Sequence, residues 1–597
     1  MYLAYCASEF TSLSIRNACI VRTPSNRSRR ISKHPHQRDK ICMGESEFDV
    51  VVIGGGSTGT AVARDCAMRG LRTLLLERDD IASATVGTCA GMISSGFKYR
   101  DEPDIMEMCS KEVVHFNHIA RHIIMKTPIL APFKSMSDVA SDGAYVDAYS
   151  DHAKERDVPS MLFLTPEASL EIEPKLHPDL IASVYYEEFF IDPFRLCLLQ
   201  ALDAIKHGAI VKTYCEVVDI ETDSAKGTVD GVVFYNRVTG SIEKVRSKIV
   251  VNAAGPWAHK VAEFADASLE LRLNKGAHVI FDRRIVNVGI TVRALDGRWV
   301  YLFPHENTTL LGTTALDTWE DPDSLVASFD EIEYLLQSIE SLIPSIREAR
   351  IIRTMAGVRP LVPDWNVPEE KVTRGYQVID HESRDKLKGL ISFTGGKLVT
   401  CRHMAEAATN LVCEKLGKKT KCTTHEKPLP GNEDVVDVIA LAKEYDISLH
   451  ALERMRARRG TEMVKVLELT KEHPEWKTTI CTCEPIIEAE IRYAIREEFP
   501  QTLNDLRRRL RLGTGPCQGT FCTYKAASIL SEELDLGGDD YLVDILDFRS
   551  ERWKGIRQSM RGEQLAQEEL AQGMYACVGN LDQSDVDYDL KPWEEMS

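Results

Sequence analysis

Four cysteines near the C-terminus fall into two close pairs, Cys481 with Cys483 and Cys517 with Cys522. The pattern C-x-C followed by C-x-x-x-x-C suits four thiolates converging on one metal centre. Such a donor set holds tetrahedral zinc or an iron–sulfur cluster, with unligated thiols as the third reading. Zinc sites more usually use C-x-x-C knuckles, so the one-residue first spacing leans toward iron and sulfur. A second constellation lies near the other end, where Gly54, Gly56 and Gly59 form G-x-G-x-x-G. The first glycine allows a tight turn, the second admits a pyrophosphate to the backbone, and the third permits close helix packing. Glu77 follows 18 residues after Gly59, placed to accept from ribose hydroxyls. The glycine motif alone does not separate FAD from NAD. A redox nucleotide at one end and a metal centre at the other suggest an electron relay.

Each constellation needs a scaffold. The β-branched run Phe48 to Ile53 predicts a buried strand. A helix is expected from Thr60 to Arg69, ended by Gly70, and a second strand from Thr73 to Leu76, which makes a β-α-β unit. Val250 to Gly255 reads as another strand ending in small residues. Ala182 to Tyr186, Gly231 to Tyr235 and Tyr301 to Phe303 suggest a second sheet. The stretch Lys427 to Asn432 (KPLPGN) reads as a Pro/Gly-punctuated linker, after which the chain turns helical and charged. Around the cysteines, Pro485 suits a first helical turn. Ile487, Ile491, Ala494 and Ile495 then recur at helical spacing. Thr502 can cap a second helix that turns Leu503, Leu506 and Leu510 inward. Arg507, Arg508, Arg509 and Arg511 could offset a negative cluster or dock an acidic acceptor, or simply form a solvated helix face.

At 597 residues the chain exceeds one compact core, so two to four domains are expected. The net charge of -18 argues against nucleic-acid binding, which needs a basic face. No apolar run is long enough for a transmembrane helix, so a membrane role requires partners or a peripheral contact. Cys66, Cys109, Cys197, Cys401 and Cys413 stand alone in apolar segments and read as reduced core residues, which fits a reducing compartment. The first 43 or so residues are rich in arginine, with only Glu9 and Asp39 as acids. This is transit-peptide composition. Without a clear amphipathic helix, a disordered extension or a start at Met43 is the preferred reading.

Several motifs in order resemble the FAD-dependent glycerol-3-phosphate dehydrogenase family. They are VVIGGGSTGTAVARDCAMRGLRTLLLERDDIASATVGT, DPFRL (Asp192 to Leu196), VVNAAGPWA, KGAH (Lys275 to His278), LGTT (Leu311 to Thr314), GVRPL (Gly357 to Leu361), HESRD (His381 to Asp385) and SFTGGKLVTCRHMAE. The cysteine-bearing tail and ERWKG (Glu551 to Gly555) resemble the catalytic member of the anaerobic enzyme. The resemblance spans nearly all of residues 47 to 597. It implies an α/β fold: a Rossmann-like FAD-binding domain interleaved with an α+β substrate domain, of the glutathione-reductase/D-amino-acid-oxidase type, plus a small helical C-terminal iron–sulfur domain. The expected division is 1–46, a basic extension or targeting segment; 47–425, the dehydrogenase; 426–474, a linker and helical region; 475–530, the [2Fe-2S] domain; and 531–597, a helical extension.

The resemblance further implies hydride transfer from sn-glycerol 3-phosphate to FAD, giving dihydroxyacetone phosphate. Electrons would leave through a [2Fe-2S] cluster of the bacterioferritin-associated-ferredoxin-like type, on Cys481, Cys483, Cys517 and Cys522. Partner electron-transfer and membrane-anchor subunits would carry them to quinone. The implied location is cytoplasmic, peripheral on the inner membrane face through those partners, or mitochondrial if the N-terminal segment is a transit peptide. Arg359 and Arg384 match phosphate-binding arginines, and Lys397 the lysine beside the flavin. Gly54, Gly56, Gly59, Glu77, Arg78, Gly255, Gly395 and Gly396 fall to the cofactor. The sequence departs from the family where it reads near H-S-G-x-R-Y: Ser94 stands for a histidine and Lys98 for an arginine, which loses the bidentate fork. The base is then open among His278, His305 and His381. Two other readings remain: an FAD dehydrogenase or oxidase of another 2-hydroxy acid or an amine, and a non-catalytic flavoprotein or zinc-stabilised component of a larger complex.

Overall fold

The structure is a computed structural model and describes residues 47–94, 99, 102–140, 146, 149, 153, 160–294 and 296–579. Its first sheet is built on the expected β-α-β unit. Strand Glu47–Ile53 pairs in parallel with Thr73–Leu76 on one side and Ser241–Asn252 on the other. The helix between them, Ser57–Met68, starts directly after Gly56. Its buried face holds Ala61, Ala63, Cys66 and Ala67, small side chains that let it lie close on the sheet. The sheet continues through Leu390–Gly395 and Tyr376–Asp380 at one edge and Ile210–Lys212 at the other. Strand Thr228–Asn236 also belongs here, since it forms a hairpin with Ser241–Asn252. The stretch Gly231 to Tyr235 is therefore part of the first sheet, not the second: its alternation was right for a strand, but the turn at 237–240 decides its partner.

The second sheet is ten-stranded and largely antiparallel. It contains Ala182–Ile191 and Trp299–His305 as expected, and one of its two longest pairings joins Arg272–Phe281 to Ile351–Leu361. The register Asn274↔Arg359 and His278↔Met355 sets KGAH against GVRPL. The DPFRL segment opens helix Pro193–Lys206. Asp192 caps it by accepting from the amides of Phe194 and Arg195, and Pro193 occupies the first turn.

Two features correct the linear reading. The segment 427–432 is clamped instead of loose. Leu429 is buried beside Ile119, and the buried Arg64 donates to the carbonyls of Thr424 (3.1 Å) and Lys427 (2.8 Å). Further on, Pro485 precedes rather than enters its helix. Ile486–Ile487 pair with Thr479–Cys481, and the helix runs Glu488–Glu497. Thr502 does cap Leu503–Leu510, with a reciprocal bond from the N3 residue Asp505. Leu503, Leu506 and Leu510 are buried with Cys481, Cys522, Ile545 and Phe548 in one apolar core.

Candidate active site and cysteine centre

One large cavity, of about 1360 Å³, runs between the two sheets. At one end the glycine turn forms its wall. Gly56 has nothing within 4 Å of where a Cβ would sit, which leaves room for a ligand. At Gly59 a Cβ would lie 1.9 Å from the Gly54 carbonyl oxygen, so only glycine lets the helix approach the strand. Glu77 accepts from the amides of Gly55 (2.5 Å) and Asp79 (2.7 Å). Burial, and then the Asp79 carboxylate, raise its carboxyl to about 7. Arg78 lies over the Trp257 ring at 4.4 Å and pairs with Asp323. Gly54, Gly56, Glu77, Arg78, Gly255, Gly395, Gly396 and Lys397 all line the cavity.

Cations gather at the other end. Arg359 projects from strand Ile351–Leu361 and donates only to neutral groups: Asn274 Oδ1 (2.9 Å), the Lys275 carbonyl (3.2 Å), Thr313 Oγ1 (3.0 Å) and the Thr314 carbonyl (3.2 Å). Burial, with Arg374 adding to it, lowers its guanidinium to about 9, so it remains a cation at neutral pH. Arg374, a cavity residue that sequence reasoning missed, is also depressed by burial. Among the described residues neither arginine has a carboxylate at ion-pair distance. The Lys397 ammonium lies 3.4 Å from the Tyr99 ring centroid. Burial lowers it to about 8. His278 lines the same space with its Nδ1 unpartnered, and burial, with Arg359, lowers it to about 3.

Other expected residues lie elsewhere. Arg384 does not line the cavity. It sits on the short helix His381–Asp385, half-exposed, bonded to Asp385 and the Ser268 carbonyl. The helix is capped by Asp380, and His381 is spent on Asp385 (2.5 Å) and Ser392 (2.9 Å), so HESRD works as a structural turn. His305 lies beside Arg511, outside the cavity. Ser94 is buried with its hydroxyl donating to Glu188 Oε1 at 3.0 Å. Lys98 lies outside the described residues.

The four cysteines converge as two pairs. The thiol of Cys481 engages Cys522, and that of Cys483 engages Cys517. Cys481 and Cys522 are buried, while Cys483 and Cys517 are half-buried. Gly515 permits the approach, since a Cβ there would lie 2.4 Å from the Cys483 Cβ. The arginines after Asp505 are neither a solvated face nor a halo for the cysteines. Arg508 and Arg509 converge on Asp80, three residues after Glu77, through bonds of 2.7 Å and of 2.8 and 2.6 Å. Tyr214 and Arg508 hold the adjacent Asp505. Burial pushes the Asp80 carboxyl up, but Arg509 and Arg508 outweigh it and hold the group below the ordinary carboxylate range. Arg511 faces Asp192 and Glu484.

Comparison with known proteins agrees with this architecture. Residues 49–402 match the family described as FAD dependent oxidoreductase, and residues 422–540 match the C-terminal domain of alpha-glycerophosphate oxidase. The A subunit of the anaerobic glycerol-3-phosphate dehydrogenase of Haemophilus influenzae is 35% identical over 554 residues, covering 92% of this chain and 95% of that protein. Its namesake in Escherichia coli K12 is 35% identical over 545 residues, covering 90% and 98%. A glycerol-3-phosphate dehydrogenase from Bacillus halodurans, solved with FAD, shares the fold at a TM-score of 0.71 and 24% identity, over 87% of this chain and 97% of that one. The chain therefore belongs to the FAD-dependent oxidoreductase family, in the branch of the anaerobic glycerol-3-phosphate dehydrogenase A subunits.

Proposed function

We propose that the chain oxidises sn-glycerol 3-phosphate to dihydroxyacetone phosphate and passes the electrons out through its cysteine centre. The observation that carries this reading is the pair Arg359 and Arg374, cations inside the cavity with no carboxylate at ion-pair distance among the described residues. A guanidinium in such surroundings is a receptor for an external anion, and a phosphate can take both forks. Gly54 to Gly59, Glu77, Arg78, Gly255, Gly395 and Gly396 would hold FAD, which supplies the hydride acceptor. Lys397 places a positive charge at that junction, where it steadies developing negative charge. The unpartnered Nδ1 of His278, neutral at working pH, is the proposed acceptor of the alcohol proton; Ser94 is committed to Glu188.

The cysteine geometry favours a dinuclear centre. A tetrahedral zinc with Zn–S bonds of ~2.3 Å brings all four sulfurs within about 3.8 Å of each other. The quartet meets as Cys481 with Cys522 and Cys483 with Cys517. Two thiol pairs suit two irons with two thiolates each. A [2Fe-2S] cluster there supplies a one-electron exit toward partner subunits and, through them, quinone. Such partners would also supply the membrane contact, because no helix among the described residues is long and apolar enough to cross a membrane.

Anaerobic mixing tests the substrate. The flavin absorbance should bleach with sn-glycerol 3-phosphate and not with 2-hydroxyglutarate or secondary amines. No bleaching by glycerol 3-phosphate would sink the assignment. Iron and acid-labile sulfide in equal amounts are expected from the purified chain; zinc without sulfide would replace the cluster with a structural metal.

A further inference from the structure

A separate donor set lies outside both the cavity and the cysteine quartet. Helix Cys401–Lys415 carries Glu406, and the segment after it carries Cys422 and His425 in C-x-x-H spacing. One ligand atom from each of the three lies within 4.8 Å of the others, and all three side chains are half-buried. Thiolate, imidazole and carboxylate together form a zinc-type donor set, and three protein ligands leave a position for water. We propose that Glu406, Cys422 and His425 form a Zn²⁺ site that clips the segment after helix Cys401–Lys415 back onto that helix.

The surrounding contacts are those of an outer shell. Glu112 fixes Arg402 through its Nε at 2.8 Å and its Nη2 at 2.5 Å. The remaining nitrogen, Nη1, donates to Glu406 Oε2 at 2.7 Å and Thr424 Oγ1 at 3.3 Å, and lies 4.0 Å from Cys422 Sγ. Arg402 thus occupies one carboxylate oxygen and orients the group, while Oε1 has no described partner and remains to ligate. The Thr424 hydroxyl lies 3.1 Å from Cys422 Sγ and can donate to a thiolate. On the other side of the triad, the His115 ring lies 5.2 Å from that of His425, and His425 Nε2 lies 3.4 Å from Glu426. Zinc holds its donors roughly 3.3–3.8 Å apart. Closing the triad therefore needs only small side-chain shifts, which half-buried groups can make.

The position gives the clip a purpose. The two family matches end and begin at residues 402 and 422, on either side of Glu406. The same segment offers its Thr424 and Lys427 carbonyls to Arg64. A metal bound only by the folded seam raises its resistance to unfolding by mass action.

The test uses the full-length, FAD-loaded chain, stripped of loosely held metal and titrated with ZnSO₄ against a chromophoric chelator. Wild type should bind about one zinc more than Cys422→Ser or His425→Ala, and Glu406→Gln should bind it at least tenfold more weakly. Equal zinc content in wild type, Cys422→Ser and His425→Ala would overturn the site. A second measurement needs no variant: iodoacetamide labelling, read peptide by peptide, should fall at least fivefold at Cys422 when zinc is added. The exposed Cys577 serves as the unprotected reference. Unchanged labelling at Cys422, or protection of the quartet cysteines alone, would also overturn the proposal.

Discussion

Arg508 and Arg509 on one side, and Arg359 and Arg374 on the other, are arginine pairs withdrawn from bulk water, but they answer to different partners. The first pair closes on Asp80, with Arg509 only 2% and Asp80 only 1% exposed. In the second, Arg359 donates only to neutral oxygens, and among the described residues neither arginine has a carboxylate at ion-pair distance in the open cavity. A buried cation whose charge is met inside the protein is part of the fold. One whose charge is left unmet is waiting for something the fold does not contain. The cost of leaving it unmet is visible in the depressed basicity of Arg359, which binding of a phosphate would relieve.

The sharpest way to break this contrast is Asp80→Ala. It strands the buried Arg509 guanidinium, while Arg508 keeps Asp505, and should cost about 3–5 kcal/mol in chemical denaturation. A loss under ~1 kcal/mol would mean that water reaches the pair. The same clamp carries a pH signature. Asp80 is held below the ordinary range, so its contribution is complete above the usual carboxylate value of about 3.9 and is lost as pH falls through the lower folded value. Arg359→Ala should show the opposite profile. KM for glycerol 3-phosphate should rise at least tenfold, about 1.4 kcal/mol, with a stability change smaller than that of Asp80→Ala. If stability falls and KM stays, Arg359 belongs with the clamps. Lys397 sharpens the cavity side. Its ammonium is lowered to about 8, so kcat/KM should decline as pH rises through about 8. In Lys397→Met activity should be low and that alkaline limb absent; a limb that persists would assign it to another group. The smallest effect is expected from Arg384→Ala. This arginine is half-exposed and paired with Asp385, so KM should move less than about twofold in steady-state assays.

The nucleotide end was legible because its signals are consecutive: strand, three glycines, helix, strand and Glu77 follow one another in the chain. Lys397 and Arg359 were reachable through their motifs. Arg374 was not, since nothing in VTRGYQV marks it. It reaches the cavity because Tyr376 pairs with Gly395 across the sheet, which carries the preceding turn to the Gly395–Lys397 loop. Arg384 misled because HESRD resembles a binding motif, whereas its polar side chains satisfy each other around a short capped helix. The run Arg507 to Arg511 looked like a solvated face because clustered charge usually is; its counter-charge lies 428 and 429 residues away. The C-x-x-H at Cys422 carried a visible spacing, but its third donor comes from the preceding helix.

The turn at residues 77–80 touches both halves of the molecule. Glu77 braces the glycine loop, and three residues later Asp80 anchors the helix that precedes Cys517. The two anchoring carboxylates are three residues apart in the chain. One four-residue turn thus braces the glycine loop with Glu77 and fastens the helix ahead of Cys517 with Asp80.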